Sequence, residues 1–312
     1  MPRQTGARTQ AALAFETTYG TAPASGYRLL PFARETLGAE RPLLANEVLG
    51  FGRDPLAPQR DAITADGEMV IPLDVETLGL WLKAAFGAPV TTGTTPKVHT
   101  FQSGAWSLPS MAIEIGMPEV PRFAIYTGVM LDRLSLSMAR TGLLTATVGL
   151  MAQKETVATV TGAGTPTSFA YQRFGHFNGA ITRDGAALGN IVSADLTYAN
   201  NLDPVEVIRA DGAVEGFDPM VAALTGSMVV RFADTTLVTQ AINGSPCELK
   251  FAWEIGANAK FEFTAHAVYL PQPRLPIEGP GGVQATFAWQ AARATSPARL
   301  CTAVLTNTVA TY

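Results

Sequence analysis

The run Leu131-Asp132-Arg133-Leu134-Ser135-Leu136-Ser137-Met138, the turn Ala139-Arg140-Thr141-Gly142 and the run Leu143-Leu144-Thr145-Ala146-Thr147-Val148-Gly149-Leu150-Met151-Ala152 decide the fold. In the first run Leu134, Leu136 and Met138 point one way, and Arg133, Ser135 and Ser137 point the other. In the second, Leu144, Ala146, Val148 and Leu150 oppose Thr145 and Thr147. A period of two over this length belongs to a half-buried strand. Two such runs about a short turn make a hairpin with one wet face and one dry face.

A second hairpin lies nearer the C-terminus. Leu249, Phe251, Trp253 and Ile255 alternate with Glu248, Lys250, Ala252 and Glu254. After the turn Gly256-Ala257-Asn258-Ala259, Phe261, Phe263, Ala265, Ala267 and Tyr269 alternate with Glu262, Thr264 and His266. Laying Arg140 on Ala257, a shift of 117 residues, sets Leu134, Leu136 and Met138 on Phe251, Trp253 and Ile255. Phe169-Ala170-Tyr171-Gln172 matches Phe287-Ala288-Trp289-Gln290 at a shift of 118. Gly67-Glu68-Met69-Val70-Ile71-Pro72-Leu73 matches Gly226-Ser227-Met228-Val229-Val230-Arg231-Phe232 at 159. Three matches in one order predict an internal duplication. Its first copy holds 42 more residues between strand and hairpin, the difference between 159 and 117.

Those extra residues contain the one convincing helix, predicted over 75–86. Asp74 is its N-cap, Leu78, Trp81, Leu82 and Ala85 form a stripe at helical spacing, and Gly87 stops it before Pro89. The stripe is expected to pack on the dry face of the hairpin. The corresponding place in the second copy, Ala233-Asp234-Thr235-Thr236-Leu237-Val238-Thr239-Gln240, reads as a stub at best. A polar stretch over 38–66 carries Glu40, Arg41, Arg53, Asp54, Gln59 and Arg60, and an analogous stretch over 201–224 carries Asp203, Arg209, Asp211 and Asp218. Long loops inside compact domains are usually functional. Both are expected to reach a neighbouring molecule, the first as an arm between stacked rings.

Length and composition limit the class. The 312 residues suffice for two domains with real cores. Hydrophobic residues make up 47%, yet no apolar run approaches the roughly 18 residues of a spanning helix. Only 15% of the chain is charged, against about 25% in an average domain, so part of the apparent surface is expected to be interface. A net charge of -4 argues against both disorder and nonspecific wrapping of DNA. The start, Met1-Pro2-Arg3-Gln4-Thr5-Gly6-Ala7-Arg8, has no apolar segment behind it and does not read as a secretory signal. Cys247 and Cys301 are expected to be buried free thiols.

No chemistry is written in the chain. His99, His176 and His266 stand far apart with no ligand spacing, no phosphate loop or nucleophile elbow occurs, and no cofactor is implied. Carboxylate pairs such as Glu114 with Glu119 and Glu254 with Glu262 have the chemistry for acid–base work, but isolated acids on half-exposed strands are expected to be a solvated face. The chain is not expected to be an enzyme.

A family likeness is carried by Phe15-Glu16-Thr17-Thr18-Tyr19-Gly20-Thr21-Ala22-Pro23, Leu30-Pro31-Phe32 and Glu35-Thr36-Leu37. It continues through Gly67-Glu68-Met69-Val70-Ile71-Pro72-Leu73-Asp74 and Leu78-Gly79-Leu80-Trp81-Leu82-Lys83-Ala84-Ala85-Phe86-Gly87. This arrangement resembles the tail tube (major tail) proteins of long-tailed, non-contractile bacteriophages. The resemblance implies a mainly β chain of two tandem tail-tube-like sandwich or barrel domains with one flanking helix and long loops. They are expected over 1–175, with an N-terminal arm, and 176–312. It further implies rings stacked into the tube that conducts DNA into the host, with six single-domain chains in the common form and three chains of pseudo-sixfold symmetry where each carries two tube domains, the form that the duplication favours here. The implied partners are the chain itself, a tape measure protein, a tail terminator and a distal tail protein, in a virion tail assembled in the host cytoplasm.

Open sheet edges template association, and joining them around a ring satisfies both edges. The wet faces are then assigned to the lumen, with bulk solvent as the alternative: Glu68, Arg133, Ser135, Ser137, Thr145 and Thr147 in the first copy, and Ser227, Arg231, Lys250, Glu254, Glu262, Thr264 and His266 in the second. Further acids from loops are expected to make the bore negative. The competing reading is a secreted or surface β-sandwich that binds carbohydrate through Trp106, Trp253 and Trp289. It is weakened because Trp253 and Trp289 fall on dry faces.

Overall fold

The alternation at 131–152 is realised in a strand longer than the pattern itself. In the computed structural model, which describes residues 3–277 and 279–312, Arg122–Ala139 runs as one strand and pairs antiparallel with Thr145–Ala152. In chain order the first half comprises β1 (Gln10–Phe15), β2 (Gly38–Glu40), β3 (Thr64–Pro72), α1 (Leu78–Phe86), β4 (Lys97–Gln102), β5 (Met111–Met117), β6 (Arg122–Ala139), β7 (Thr145–Ala152) and β8 (Lys154–Ala158). The second comprises β9 (Gly179–Arg183), β10 (Ile191–Ala199), β11 (Ala223–Arg231), α2 (Thr236–Asn243), β12 (Cys247–Gly256), β13 (Ala259–Tyr269), β14 (Gln284–Ala291) and β15 (Cys301–Asn307).

The pairing occurs twice. The antiparallel pairs β1·β5, β5·β6, β6·β8, β6·β7, β7·β3 and β3·β2 recur in the same order as β9·β12, β12·β13, β13·β15, β13·β14, β14·β11 and β11·β10. Register recurs as well. Glu35 opposite Met69 and Ala39 opposite Ala65 become Ala194 opposite Met228 and Tyr198 opposite Leu224, one shift of 159 throughout.

One alignment is corrected. The counterpart of β12–β13 is β5–β6 rather than the hairpin at 131–152. β7 corresponds to β14 at a shift of 139, since Thr147 opposite Val70 becomes Thr286 opposite Val229. Phe169-Ala170-Tyr171-Gln172 forms no strand. Alternation with a period of two fits itself at every second register, so the pattern alone could not choose between these matches.

The strand β6 serves two layers. Its first part pairs with β5 and β8 and its last part with β7 and β10. Between them the chain bends at Gly128, φ +63°, and at a bulge between Leu131 and Arg133. The contact of β6 with β10 joins the halves into one antiparallel layer, β2–β3–β7–β6–β10–β11–β14. Across the sandwich lie β9–β12–β13–β15–β4 and, in the first half, β1–β5–β6–β8. The dry faces meet in one core: Phe251 stacks on Trp289 at 6.1 Å, and Phe86 lies 4.5 Å from Tyr198 and 6.3 Å from Phe263. The strand β4, inserted after α1, pairs with β15, so the edge of the second half is completed by the first, across the boundary expected at 175/176. Cys247 and Cys301 are free and buried in this core, where desolvation pushes their thiols up to about 11 and about 12.

Two helices flank the sheets, where the sequence reading gave one. α1 begins at Leu78 instead of residue 75 because Asp74 leads the chain in through a turn. Its Oδ1 accepts the amides of Glu76 at 2.9 Å and Thr77 at 2.8 Å, and Thr77 Oγ1 donates to Oδ2. Every α1 residue but Lys83 is buried, and Tyr312 closes over Gly79 so tightly that a Cβ there would fall 2.1 Å from its ring. The stub at 233–240 is a helix, α2, of which only Leu237 and Ala241 are buried.

Burial raises the Asp74 carboxyl from 3.8 to about 6. A carboxyl raised in the folded state stabilises the fold when protonated, and that stability is lost as pH rises from about 4 through about 6. Asp74→Asn keeps the acceptor for both amides and removes the charge. At about pH 4 it should match the parent in denaturant unfolding, and at about pH 8 exceed it by roughly 2 to 3 kcal/mol. Parallel pH profiles for the two proteins would refute this.

Candidate assembly surface

The outward face of the β2–β3–β7–β6–β10–β11–β14 layer is built by register. One row across it reads Glu68, Gly149, Arg133, Ala199, Ala223, and the next Val70, Thr147, Ser135, Thr197, Thr225, Gln290. A third contains Ser137, Asp195, Ser227 and Ala288. Arg133 lies over Gly149, whose missing side chain leaves its path clear, and pairs with Glu68 two strands away. Ser135 and Thr197 hydroxyls bond at 2.9 Å, and Ser227 Oγ donates to Asp195 Oδ2.

The repeat extends to these details. The amide of Glu68 donates to Thr36 Oγ1, and the amide of Ser227 donates to Asp195 Oδ1, the same bond under the shift of 159. Gly67 and Gly226 correspond too. A Cβ would fall 2.5 Å from the Thr36 carbonyl oxygen at the first and 2.2 Å from that of Asp195 at the second.

Eight of the thirteen residues read as lumen-facing lie together on this face: Glu68, Arg133, Ser135, Ser137, Thr145, Thr147, Ser227 and Arg231. The other five do not. Lys250, Glu254, Glu262, Thr264 and His266 stand on the opposite exterior of the sandwich, on β12 and β13. There Lys250 pairs with Glu262 at 3.3 Å and Lys260 with Glu254 at 2.8 Å. His266 Nδ1 approaches Glu248 at 3.4 Å, and its Nε2 meets Thr302 Oγ1 at 2.8 Å. The cause of the split is the misplaced alignment of the hairpins. What the sequence reading missed is the contribution of β10 and β14: Ser193, Asp195, Thr197, Thr286 and Gln290. The signal was present, since Ser193, Asp195 and Thr197 alternate with Ala194, Leu196 and Tyr198.

The face bears four acids, Glu40, Asp66, Glu68 and Asp195, against three bases, Arg34, Arg133 and Arg231, all supplied by strands rather than loops. Hydroxyls and amides fill most of the remainder, and no lysine lies on it among the described residues.

Both long loops are hairpins continuing paired strands. In the first, Leu43–Leu44 pairs with Gln59–Arg60 between β2 and β3. Glu40 ends β2, Arg41 Nε donates to the Asp61 carbonyl at 2.7 Å, and Arg53 and Asp54 lie exposed at the tip. The same arm exposes Leu43, Leu44, Val48, Leu49 and Phe51, with Leu49 91% and Phe51 70% accessible. In the second, Leu202–Val205 pairs with Gly216–Pro219, and Leu202 and Phe217 pack with Met130. It leans on the base of the first, where the Ile63 amide donates to the Gly212 carbonyl at 2.9 Å.

The remaining candidates resolve into structural contacts. Glu114 is buried and accepts from Thr161 Oγ1 and the amides of Gly162 and Ala163, holding that loop, while Glu119 pairs with Arg8. Trp253 and Trp289 are fully buried, which leaves Trp106 without the platform a sugar site requires. Buried His99 bonds Thr91 and approaches Asn307 and the Val309 carbonyl, and desolvation lowers its pKa. Among the described residues no group of three or more His, Cys, Asp or Glu is placed to hold a metal, and no helix is long and apolar enough to cross a membrane.

No curated protein matches the chain. A family model described as phage tail tube protein matches residues 6–291, which takes in α1, the two arms, both repeats up to β14 and the whole of the hydroxyl-rich face. The chain therefore belongs to the phage tail tube protein family and is a structural component of the virion tail.

Proposed function

We propose that three chains close into a ring whose bore is lined by the hydroxyl-rich face, and that such rings stack into a tube through which DNA is ejected. The observation that carries this reading is the β6·β10 contact. Two repeats in one chain are already joined edge to edge, and the edges at β2 and along most of β14 are unpaired among the described residues. Each repeat, in the halves 1–175 and 176–312, then acts as one of six equivalent wall segments.

The dimensions agree. Seven strands per chain give at least 21 in the ring. At about 4.8 Å between strands and a tilt near 40°, such a wall is roughly 40–50 Å across, leaving roughly 30–40 Å inside the side chains. A DNA duplex passes through that opening. Lysine and unpaired arginine hold phosphates most firmly; among the described residues this face has no lysine, Arg133 is engaged by Glu68, and the unpaired Arg34 and Arg231 are outnumbered by Glu40, Asp66 and Asp195. Lys250, Glu254, Glu262, Thr264 and His266 then face outward from the tube. Partners at the ends and inside the growing tube are a tail terminator, a distal tail protein and a tape measure protein, with assembly in the host cytoplasm.

Native mass spectrometry of assembled protein tests the ring count. Three chains of 32.9 kDa predict a unit of about 99 kDa. A six-chain ring would contradict the assignment of two wall segments to each chain.

A further inference from the structure

The repeat identifies one strand that the isolated chain lacks. The last part of β6 is the fourth strand of the first wall segment, lying between β7 and β10. Its counterpart should follow β13 in the second segment, beside β14. Under the shift of 139 that carries β7 onto β14, Arg133-Leu134-Ser135-Leu136-Ser137-Met138 falls on Gln272-Pro273-Arg274-Leu275-Pro276-Ile277. The apolar positions coincide, Leu134, Leu136 and Met138 on Pro273, Leu275 and Ile277. Yet residues 271–277 form no strand, and Leu275 and Ile277 are exposed, Ile277 by 79%.

We propose that residues 272–277 fold as a strand against residues 35–40 of a second copy of this chain. The register is copied from β6·β10, where Ser135 faces Thr197 and Leu136 faces Leu196, less the ladder bonds that Pro273 and Pro276 have no amide hydrogen to donate. Subtracting 159 from the β10 partner places Arg274 opposite Gly38, Leu275 opposite Leu37 and Gln272 opposite Glu40. The proposal rests on the ring reading and specifies its closing contact.

Three further observations fit this occupant. The Thr36 amide bonds the Glu68 carbonyl on β3, so the Leu37 amide points away from β3, and among the described residues of the single chain its one acceptor is Glu35 Oε2 at 3.1 Å. This is a local plug on an open edge. Opposite Gly38 on β3 stands Asp66, which has no ion pair among the described residues. Arg274 would cross Gly38 to reach Asp66 as Arg133 crosses Gly149 to reach Glu68. The helices differ in the same sense. α1 is buried where β10 meets β6, with Asn200 Nδ2 donating to the Ala85 carbonyl at 3.2 Å, whereas α2, beside the open junction, is largely bare. One missing neighbour accounts for the open edge, the unpaired segment and the bare helix.

The test is a disulfide across the proposed contact. Gly38 and Arg274 form a non-hydrogen-bonded pair, the closer kind, and a Cβ at Gly38 meets nothing nearer than 3.8 Å. Gly38→Cys with Arg274→Cys, oxidised after assembly, should convert most protein into covalently closed three-chain rings on non-reducing gels. Each single substitution, and the off-register pair Thr36→Cys with Arg274→Cys, should give less than about a tenth of that yield. Hydrogen exchange on the unmodified chain provides the second readout. The amides of Leu275, Ile277, Leu37 and Ala39 should slow at least about a hundredfold on assembly. Rings seen by microscopy with neither the cross-link nor the protection overturn this contact and leave the ring reading standing. Absence of rings from the unmodified chain overturns both.

Discussion

Gly226→Ala lowers the stability of the isolated chain by about 3 kcal/mol or more, the upper range for overpacking a core position. The new Cβ would sit 2.2 Å from the Asp195 carbonyl oxygen and 2.4 Å from Trp289 Cζ2. Neither can retreat. Asp195 lies on β10, fixed on its other side by β6, and Trp289 is fully buried against Phe251. The corresponding substitution, Gly67→Ala, adds about 1 kcal/mol of backbone strain at φ +156°, but the Leu37 Cα and Thr36 carbonyl oxygen that it meets at 2.5 Å belong to an edge that is free to shift outward. It should therefore cost the single chain less and impair assembly more, because the displaced edge is the one offered to another copy. Gly189→Ala, with nothing within 4 Å, is the control and should change stability by less than about 0.5 kcal/mol. Urea unfolding of the three variants measures the order. Equal losses at residues 67 and 226 would refute the distinction between the inner and edge positions.

These two glycines also mark what the sequence could reveal. The match of Gly67, Met69 and Val70 to Gly226, Met228 and Val229 was legible because a glycine in a strand breaks the monotony of alternation and fixes the register. The hairpins offered no such landmark. Leu134, Leu136 and Met138 fit Phe251, Trp253 and Ile255 as well as any alternating pair, and β6 belongs to two hairpins because it bends at Gly128. That one slip grouped five residues of β12 and β13 with a face on the other side of the sandwich. The wet face of the first repeat was legible from alternation alone, whereas Asp66 and Asp195 joined it only through pairing partners far away in the chain. The second helix was missed for a physical reason. Its apolar side is half bare in a single chain, and Leu237 with Ala241 makes too narrow a stripe to recognise.

Removal of residues 43–59 should leave folding and ring closure intact and abolish tubes. The cut is local, since the Asp61 amide already donates to the Pro42 carbonyl at 3.0 Å and the ends lie side by side. The removed residues contribute nothing to the buried core, so the unfolding free energy should move by less than about 1 kcal/mol. What is lost is the exposed set Leu43, Leu44, Val48, Leu49 and Phe51, an apolar surface that a monomer has no reason to present to water. Arg53 and Asp54 at the tip and Gln59 at the base go with it, leaving Glu40, Arg41 and Arg60 as a shortened stump. Sedimentation should show the ring species and no longer particles. Tubes of ordinary length from the shortened chain would show that rings stack through other surfaces.

The most direct test of the whole account is an image of the assembled tube along its axis at a resolution that separates strands. The expected image is an unbroken β-wall with Ser135, Thr197 and Thr225 toward the bore, β12 and β13 outside, and a wall contact between chains that copies β6·β10. A bore lined by β12 and β13, or chains that meet without joining their sheet edges, would contradict it.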